Sequence, residues 1–349
     1  MARKSIVQWI VCGLVAAAGG QASAQMESTA EPQYSQPSGS SEAFDYSAIS
    51  PSEALHLNTP MRFKPIIGIE IGMISMHRAA PDSFTFIFDQ GGAPLMNMNE
   101  MQGGAGNGLD SKLHLYNLFS DCKAIDVEMR YFQVSNMNFD QNVSATTPVI
   151  PVFFNAIPAD PVNVNQVIYD SNIRSYEANL VARTPWRASL LGGFRYFEVA
   201  EDFVIWDNIA QPPEEVRSLT RNKMAGAQVG GELVAISNAH AKVWGSFKWA
   251  AMHNDVGGNA VAINPATDDF IVSILSGSTT THLLDFELAG SLNITRSLSV
   301  YGGYQGLAAY GVGLVTSQSR ESRIFLPTNP IVFDDTQWHG FKLGMVATF

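Results

Sequence analysis

The chain ends "HGFKLGMVATF", and counting back from its last residue every second position is apolar: Phe349, Ala347, Met345, Leu343 and Phe341. Thr348, Val346, Gly344, Lys342 and Gly340 stand between them. A period of two places one face of a strand in an apolar medium. Similar segments recur from Ile66 onward. They predict strands over 66–77, 109–119, 124–135, 172–183, 187–199, 222–237, 241–252, 282–292, 297–310 and 338–349.

The connections between these segments alternate in length. Turns of roughly three or four residues follow the even-numbered strands, while loops of roughly 20 to 36 residues follow the odd-numbered ones. A soluble sandwich also alternates along its strands, but it has no reason to gather every long connection at one end. The pattern therefore predicts an all-β fold, an antiparallel transmembrane barrel of about ten strands with short periplasmic turns and long external loops. Most segments reach the ~9–11 residues that a tilted membrane strand needs.

Alternation also assigns faces. In 282–292, Leu284, Phe286, Leu288, Gly290 and Leu292 oppose Asp285, Glu287, Ala289 and Ser291. The same reading turns Glu70, Lys112, His114, Asp126, Glu128, Arg130, Glu177, Arg183, Arg195, Glu232, Lys242, Lys248, Asp285, Glu287 and Lys342 inward. Both signs are present in similar number. An eight-stranded barrel is just filled by side chains, so ten strands leave a narrow lumen. Two readings of these charges stay open: a salt-bridged plug, or a polar channel whose selectivity they set. If Arg183 pairs with Arg187 across the turn, Glu177 lies opposite Gly193 with Arg195 one diagonal step away, and an ion pair or water-bridged contact is expected between them.

The N-terminus changes the setting. "MARKSIVQWIVCGLVAAAGGQASAQ" has a basic start, an apolar run from Ile6 to Ala18 and a small-x-small site at Ala22-Ser23-Ala24. This predicts a signal peptide over 1–24, with Cys12 a bystander inside it. Residues 25–60, rich in Ser, Pro, Gln and Glu, read as a disordered periplasmic leader, and 61–349 as the outer-membrane barrel. Removing Arg3 and Lys4 leaves 19 basic and 32 acidic residues, a charge of −13 that argues against nucleic acid as a partner. Cys122 is then the single cysteine, in a predicted periplasmic turn, and is expected to be an idle thiol.

The runs "LLGGFRYFEVAEDF" (190–203), "NKMAGAQVGGEL" (222–233), "LSVYGGYQGLAAYGVGL" (298–314) and the closing "WHGFKLGMVATF" resemble the bacterial outer-membrane β-barrel porins of family seven. The resemblance covers roughly 66–349 and rests on order and spacing. Phe197 stands where many members carry an aliphatic residue. The resemblance implies a narrow porin-like channel for small polar solutes or ions, outer-membrane lipid as surroundings, and the barrel-assembly machinery as a partner. That machinery would read Phe341, Leu343, Met345, Ala347 and Phe349 as the C-terminal assembly signal. The alternatives are a plugged structural or adhesive surface barrel and, less favoured, an outer-membrane hydrolase.

Catalytic chemistry has little support. "MHND" sets His253 beside Asp255, but there is no G-x-S-x-G elbow and no metal-spaced His pair. The chain is therefore expected not to be an enzyme, with no catalytic residues, metal ligands or cofactor. "GGAGNG" (103–108) precedes a strand rather than a helix and reads as a flexible loop. Glu201, Asp202, Asp207, Glu214 and Glu215, Asp268-Asp269 and Asp334-Asp335 are expected in acidic, solvated loops.

Overall fold

The computed structural model describes residues 66–81, 85–89, 92–100, 104–117, 125–143, 149–151, 166–184, 186–207, 214–264, 269–295, 297–320 and 331–349. The expected signal peptide, leader and Cys122 turn lie outside the described residues.

Ten strands close into one antiparallel barrel: β1 (Ile66–Arg78), β4 (Gly106–Tyr116), β5 (Ile125–Asn142), β7 (Gln166–Arg183), β8 (Ala188–Asp207), β9 (Glu214–Ser237), β10 (Ala241–Asn264), β11 (Asp269–Asn293), β12 (Leu298–Val312) and β13 (Asp334–Thr348). Three short strands, β2 (Thr85–Asp89), β3 (Pro94–Asn97) and β6 (Val149–Pro151), form a separate small sheet. Closure is made by β13 against β1, in register from Gly68 opposite Thr348 to Arg78 opposite Trp338. Beyond the ladder, Phe349 N donates to Ile67 O at 2.9 Å and Ile67 N to Phe349 O at 3.2 Å. A chain end that normally frays is thus held by hydrogen bonds to the first strand, and the sheet loses both edges.

The turn end of the barrel holds the short connections and Phe349. There, Thr184 N donates to Ala188 O and Asn238 N to Ala241 O, both at 2.9 Å. The first of these turns corrects the expected register. Arg187 lies in the turn, at φ 58°, and does not pair with Arg183. Arg183 instead faces Ser189, which sets Glu177 directly opposite Arg195.

The other end departs further from expectation. β9, β10 and β11 run 24, 24 and 25 residues, more than twice the ~9–11 that span a bilayer. Most of the loops expected at 200–221 and 253–281 are therefore strand. The acidic residues placed in loops sit on strands as well: Glu201, Asp202 and Asp207 on β8, Glu214 and Glu215 on β9, Asp269 on β11, and Asp334 and Asp335 on β13. Asp268 lies outside the described residues. Gly106 to Gly108 of the expected glycine loop open β4, with Gly108 opposite Val134. In these extensions Ser218, Thr220, Asn254, Ser273 and Thr281 are buried while Val272 and Ile274 are exposed, so polarity does not follow the faces and the period-two signal is weak, which is why they read as loop.

After Val312 the chain leaves the wall. Gly311 takes φ +84°, a left-handed conformation that favours glycine, at the bulge where β12 and β13 lose register. The next residues turn inside the barrel and form a short helix, α1 (Val315–Arg320). Asn222 holds this crossing from both sides: its Nδ2 donates to Gly313 O at 2.9 Å, and its Oδ1 accepts from Gly313 N at 2.8 Å.

Candidate functional site

The two faces of the wall differ in kind. Outward, Ile71, Met73, Leu190, Phe194, Val229, Leu233, Phe247, Phe286, Leu288, Phe341, Leu343 and Met345 are all exposed, Phe341 by 70% and Met73 by 71%. Ala347 is half-buried, and Phe349 is 75% exposed at the turn end. Outward positions of β1 from Ile67 to Ser75, of β8 from Leu190 to Tyr196, of β9 from Ala225 to Leu233 and of β13 from His339 to Ala347 carry no Asp, Glu, Lys or Arg. An apolar surface continuous around a barrel far exceeds the few hundred Å² that soluble monomers leave open.

Inward, the side chains stack in layers. Nearest the turns, Arg183 Nε meets Asp126 Oδ2 at 2.9 Å, and Asn117 N donates to Asp126 Oδ1 at 3.0 Å. Lys242 and Glu232 pair at 3.0 Å and stay partly exposed at this mouth. His114 Nδ1 lies 3.7 Å from Glu128.

The next layer is a network of buried ions. Arg130 grips Asp110 with two hydrogen bonds of 2.8 Å and donates a third, at 2.7 Å, to Gln305 Oε1. Arg195 reaches Asp285 at 2.9 Å and Glu177 at 3.6 Å. Lys248 lies 2.7 Å from Glu177 and 3.6 Å from Glu128. Lys342 contacts Glu287 at 2.6 Å, Asp110 at 3.5 Å and Glu70 at 3.9 Å, and Glu70 also lies 3.9 Å from Lys112. Arg130, Glu177, Arg195 and Lys342 are each below 5% exposed, which separates this network from surface pairs that water screens. Arg130, Glu177 and Lys342 each meet three counter-ions, and every ion of the layer meets at least one, as buried charges require.

Alternation found most members of this layer and left out four. Asp110 shares its strand face with Lys112 and was legible by the same parity. Gln305, Gln228 and Asn179 are neutral, and a search for charges passes over them. Gln228 donates to Asn179 Oδ1 at 2.6 Å and to Glu177 at 3.1 Å, and Gln305 Nε2 donates to Asp285 at 3.0 Å.

Two to four residues further along the same strands the interior turns apolar. Ile74, Met76, Phe132, Val134, Ile173, Phe197, Val199, Met224, Met252, Leu283, Leu307 and Trp338 form one buried cluster. Trp338 packs edge-on to Phe197 with centroids 5.9 Å apart. The guanidinium of Arg195 lies 5.4 Å from the Phe197 ring and that of Arg130 lies 5.1 Å from the Phe132 ring, so the two layers meet through cation–π contacts. Beyond them a second cluster joins Phe86, Ile87, Met96 and Met98 of the small sheet and its adjoining turn to Val167, Tyr169, Phe203, Ile205 and Val315. Between the two clusters, Glu201 accepts from Arg78 at 3.1 Å, from Tyr169 at 2.7 Å and from Val315 N at 2.9 Å.

His253 and Asp255 make contact at 3.1 Å, but they project outward from the middle of β10, with side chains 65% and 73% exposed. They share neither a cavity nor a nucleophile with the interior.

No protein-family model matches the chain, and no curated protein matches it. Among solved structures the chain is similar to the outer-membrane protease OmpT of Escherichia coli, with 10% identity and a TM-score of 0.43, covering 84% of this chain and 100% of that one. It is also similar to the toluene transporter TodX of P. putida, with 6% identity and a TM-score of 0.31 over 86% and 92% of the two chains. A third likeness is to Ail, the attachment invasion locus protein of Yersinia pestis, with 10% identity and a TM-score of 0.27 over 82% and 100%. The resemblance to one porin family accordingly rests on the quoted sequence runs alone.

Proposed function

We propose that this chain is an outer-membrane barrel with a closed interior, whose role is carried by its outer surface and its long extracellular strands: a structural or adhesive surface protein. One observation carries the reading: beside an apolar outer belt, the interior is filled in succession by ion pairs, an apolar cluster and the small sheet. The belt supports lipid as its surroundings, because a closed barrel satisfies every backbone group without water. The paired C-terminus supports a role for Phe341, Leu343, Met345, Ala347 and Phe349 in closure during assembly. The channel reading has less support, since selectivity filters need a wet path and the charged layer here is capped by buried hydrocarbon. The exposed, outward setting of His253 and Asp255 gives the hydrolase reading less support.

Liposome swelling tests the proposal. Phosphatidylcholine vesicles carrying the folded chain, with insertion verified by flotation, are diluted into iso-osmotic solutions of small sugars and amino acids. The closed reading expects swelling no faster than in protein-free vesicles. Rapid swelling that falls with solute size would support a pore instead.

A further inference from the structure

Above the point where β12 leaves the wall, one side of β11 has no neighbouring strand. β12 pairs with β11 only as far as Tyr310 opposite His282, while β10 pairs with it to Asn264 opposite Asp269. The span from Asp269 to Thr281, about 40 Å of strand at ~3.3 Å per residue, is therefore laddered on one side only among the described residues. Asn293 N donates to His240 O, so the odd-numbered residues of β11 bond to β10. The even-numbered ones turn their N–H and C=O groups the other way, as antiparallel pairing requires. At Val272, Ile274, Ser276 and Ser278 those groups face an open edge.

Proteins guard such edges with charges, prolines or bulges. β5 has a comparable edge beyond Ser135, and it is guarded. Asn136 takes φ 62° where the β5–β7 register breaks, Asn138 O already accepts from Gly104 N at 2.7 Å, and Asp140 stands in the strand. The β11 edge has no guard: no Asp, Glu, Lys, Arg or Pro occurs from Phe270 to Thr281, nor from Val256 to Asn264 on β10 behind it. Ile274, on its outer face, is 79% exposed, more than Met73 or Phe341 of the belt, although it lies twelve residues beyond Phe286. On the inner face Leu275 packs with Val256 and Ile331, which fixes the alternation of the strand. An ordered, uncharged edge flanked by exposed hydrocarbon is a template for another strand.

We infer that the upper edge of β11 pairs with the same edge of a second copy held in a facing membrane, joining two barrels tip to tip through one antiparallel sheet. The inference rests on the surface-protein reading above and names the partner. Charge points to a second copy. The chain carries −11, so two copies repel wherever their charges meet, and this edge is a stretch that carries none. Symmetry points to a facing membrane. Barrel strands tilt ~35–45°, so a twofold axis along the membrane normal, as between copies in one membrane, would cross the two edges at roughly 70–90°. A twofold axis perpendicular to the wall instead runs them antiparallel, keeps their outer faces on one side and points the two barrels at each other.

The test uses the folded full chain in two populations of phosphatidylcholine vesicles carrying different dyes. Flotation verifies insertion. Amine labelling from outside that reaches the exposed Lys223 and spares Lys242 at the turn end verifies that the long strands face out. Wild-type vesicles are expected to cluster with one another, read as energy transfer between the dyes, and not with protein-free vesicles. Ser276→Pro removes one edge N–H without touching the β10 ladder, and Ile274→Lys sets a charge beside the edge; each should lower clustering about tenfold. Ser276→Ala and Ile274→Val should keep it, and heat-modified mobility on gels shows which variants are folded. Wild-type vesicles that stay dispersed would overturn the inference and leave the edge to a strand of another protein. Clustering with protein-free vesicles, or clustering unchanged in either folded Ser276→Pro or Ile274→Lys, would overturn it as well. None of these results bears on the closed-barrel reading, which swelling of the same vesicles in small sugars decides separately.

Discussion

The two middle layers of the barrel interior lie only two to four residues apart along each strand and are built from opposite chemistry. On β8, Arg195 belongs to the ion network and Phe197 to the apolar cluster; on β5, Arg130 and Phe132 do the same. Both layers fill space, but they fill it under different rules. An ion pair demands specific partners, and losing one strands the other in a medium that solvates it poorly. An apolar layer demands volume, and it tolerates a substitution in proportion to the gap it leaves. The first layer ties together side chains from strands that barrel closure sets opposite one another; the second packs hydrocarbon beside it.

The largest expected effect comes from breaking the ionic layer. Arg130→Ala leaves Asp110 without its two 2.8 Å hydrogen bonds and should cost about 3–5 kcal/mol. Urea titration of the folded band on gels, in detergent, measures it; a change below that of a surface pair would mean the layer is wet. Second, Phe341→Lys places a charge on the outer belt at a side chain 70% exposed. Near the midplane this should cost about 2–4 kcal/mol in a bilayer. Because the cost comes from hydrocarbon, the same titration should give a smaller one in detergent micelles, whose mobile core lets water reach the ammonium, than in the bilayer. Third, Ile74→Val removes one methylene from the apolar layer, where Ile74 is 1% exposed, and should cost about 0.5–1.5 kcal/mol. A loss comparable to Arg130→Ala would erase the distinction between the layers. Smallest is Arg217→Ala. Its pair with Asp202 lies on the outer surface with Arg217 48% exposed, and about 0.2–1 kcal/mol is expected, falling further with added salt.

The layers were unequally legible in the sequence. Alternation places Lys248, Asp285 and Glu287 inward because their neighbours Phe247, Leu284 and Leu288 are plainly apolar, so a period of two separates the faces. It does not do so for Phe197, flanked by Tyr196 and Glu198, or for Leu283, whose neighbour Leu284 is as apolar as itself. Where both faces carry apolar residues, periodicity reports neither. The small sheet was hidden for another reason: β2, β3 and β6 are three to five residues long, and β6 is separated from its partner β2 by about sixty positions. Short strands held by distant partners leave no local signature. Partners across the lumen were illegible too. That Arg195 meets Asp285, ninety residues away, follows from closure of the barrel and from no spacing along the chain.

The central claim is that the lumen is closed, and single-channel recording in a planar bilayer tests it most directly. With insertion of the purified, folded chain verified independently, the account predicts a silent membrane, with no unitary steps across the voltage range that the lipid withstands. Steady unitary steps from the wild-type barrel, with an ion selectivity that shifts in Lys248→Gln, would contradict it.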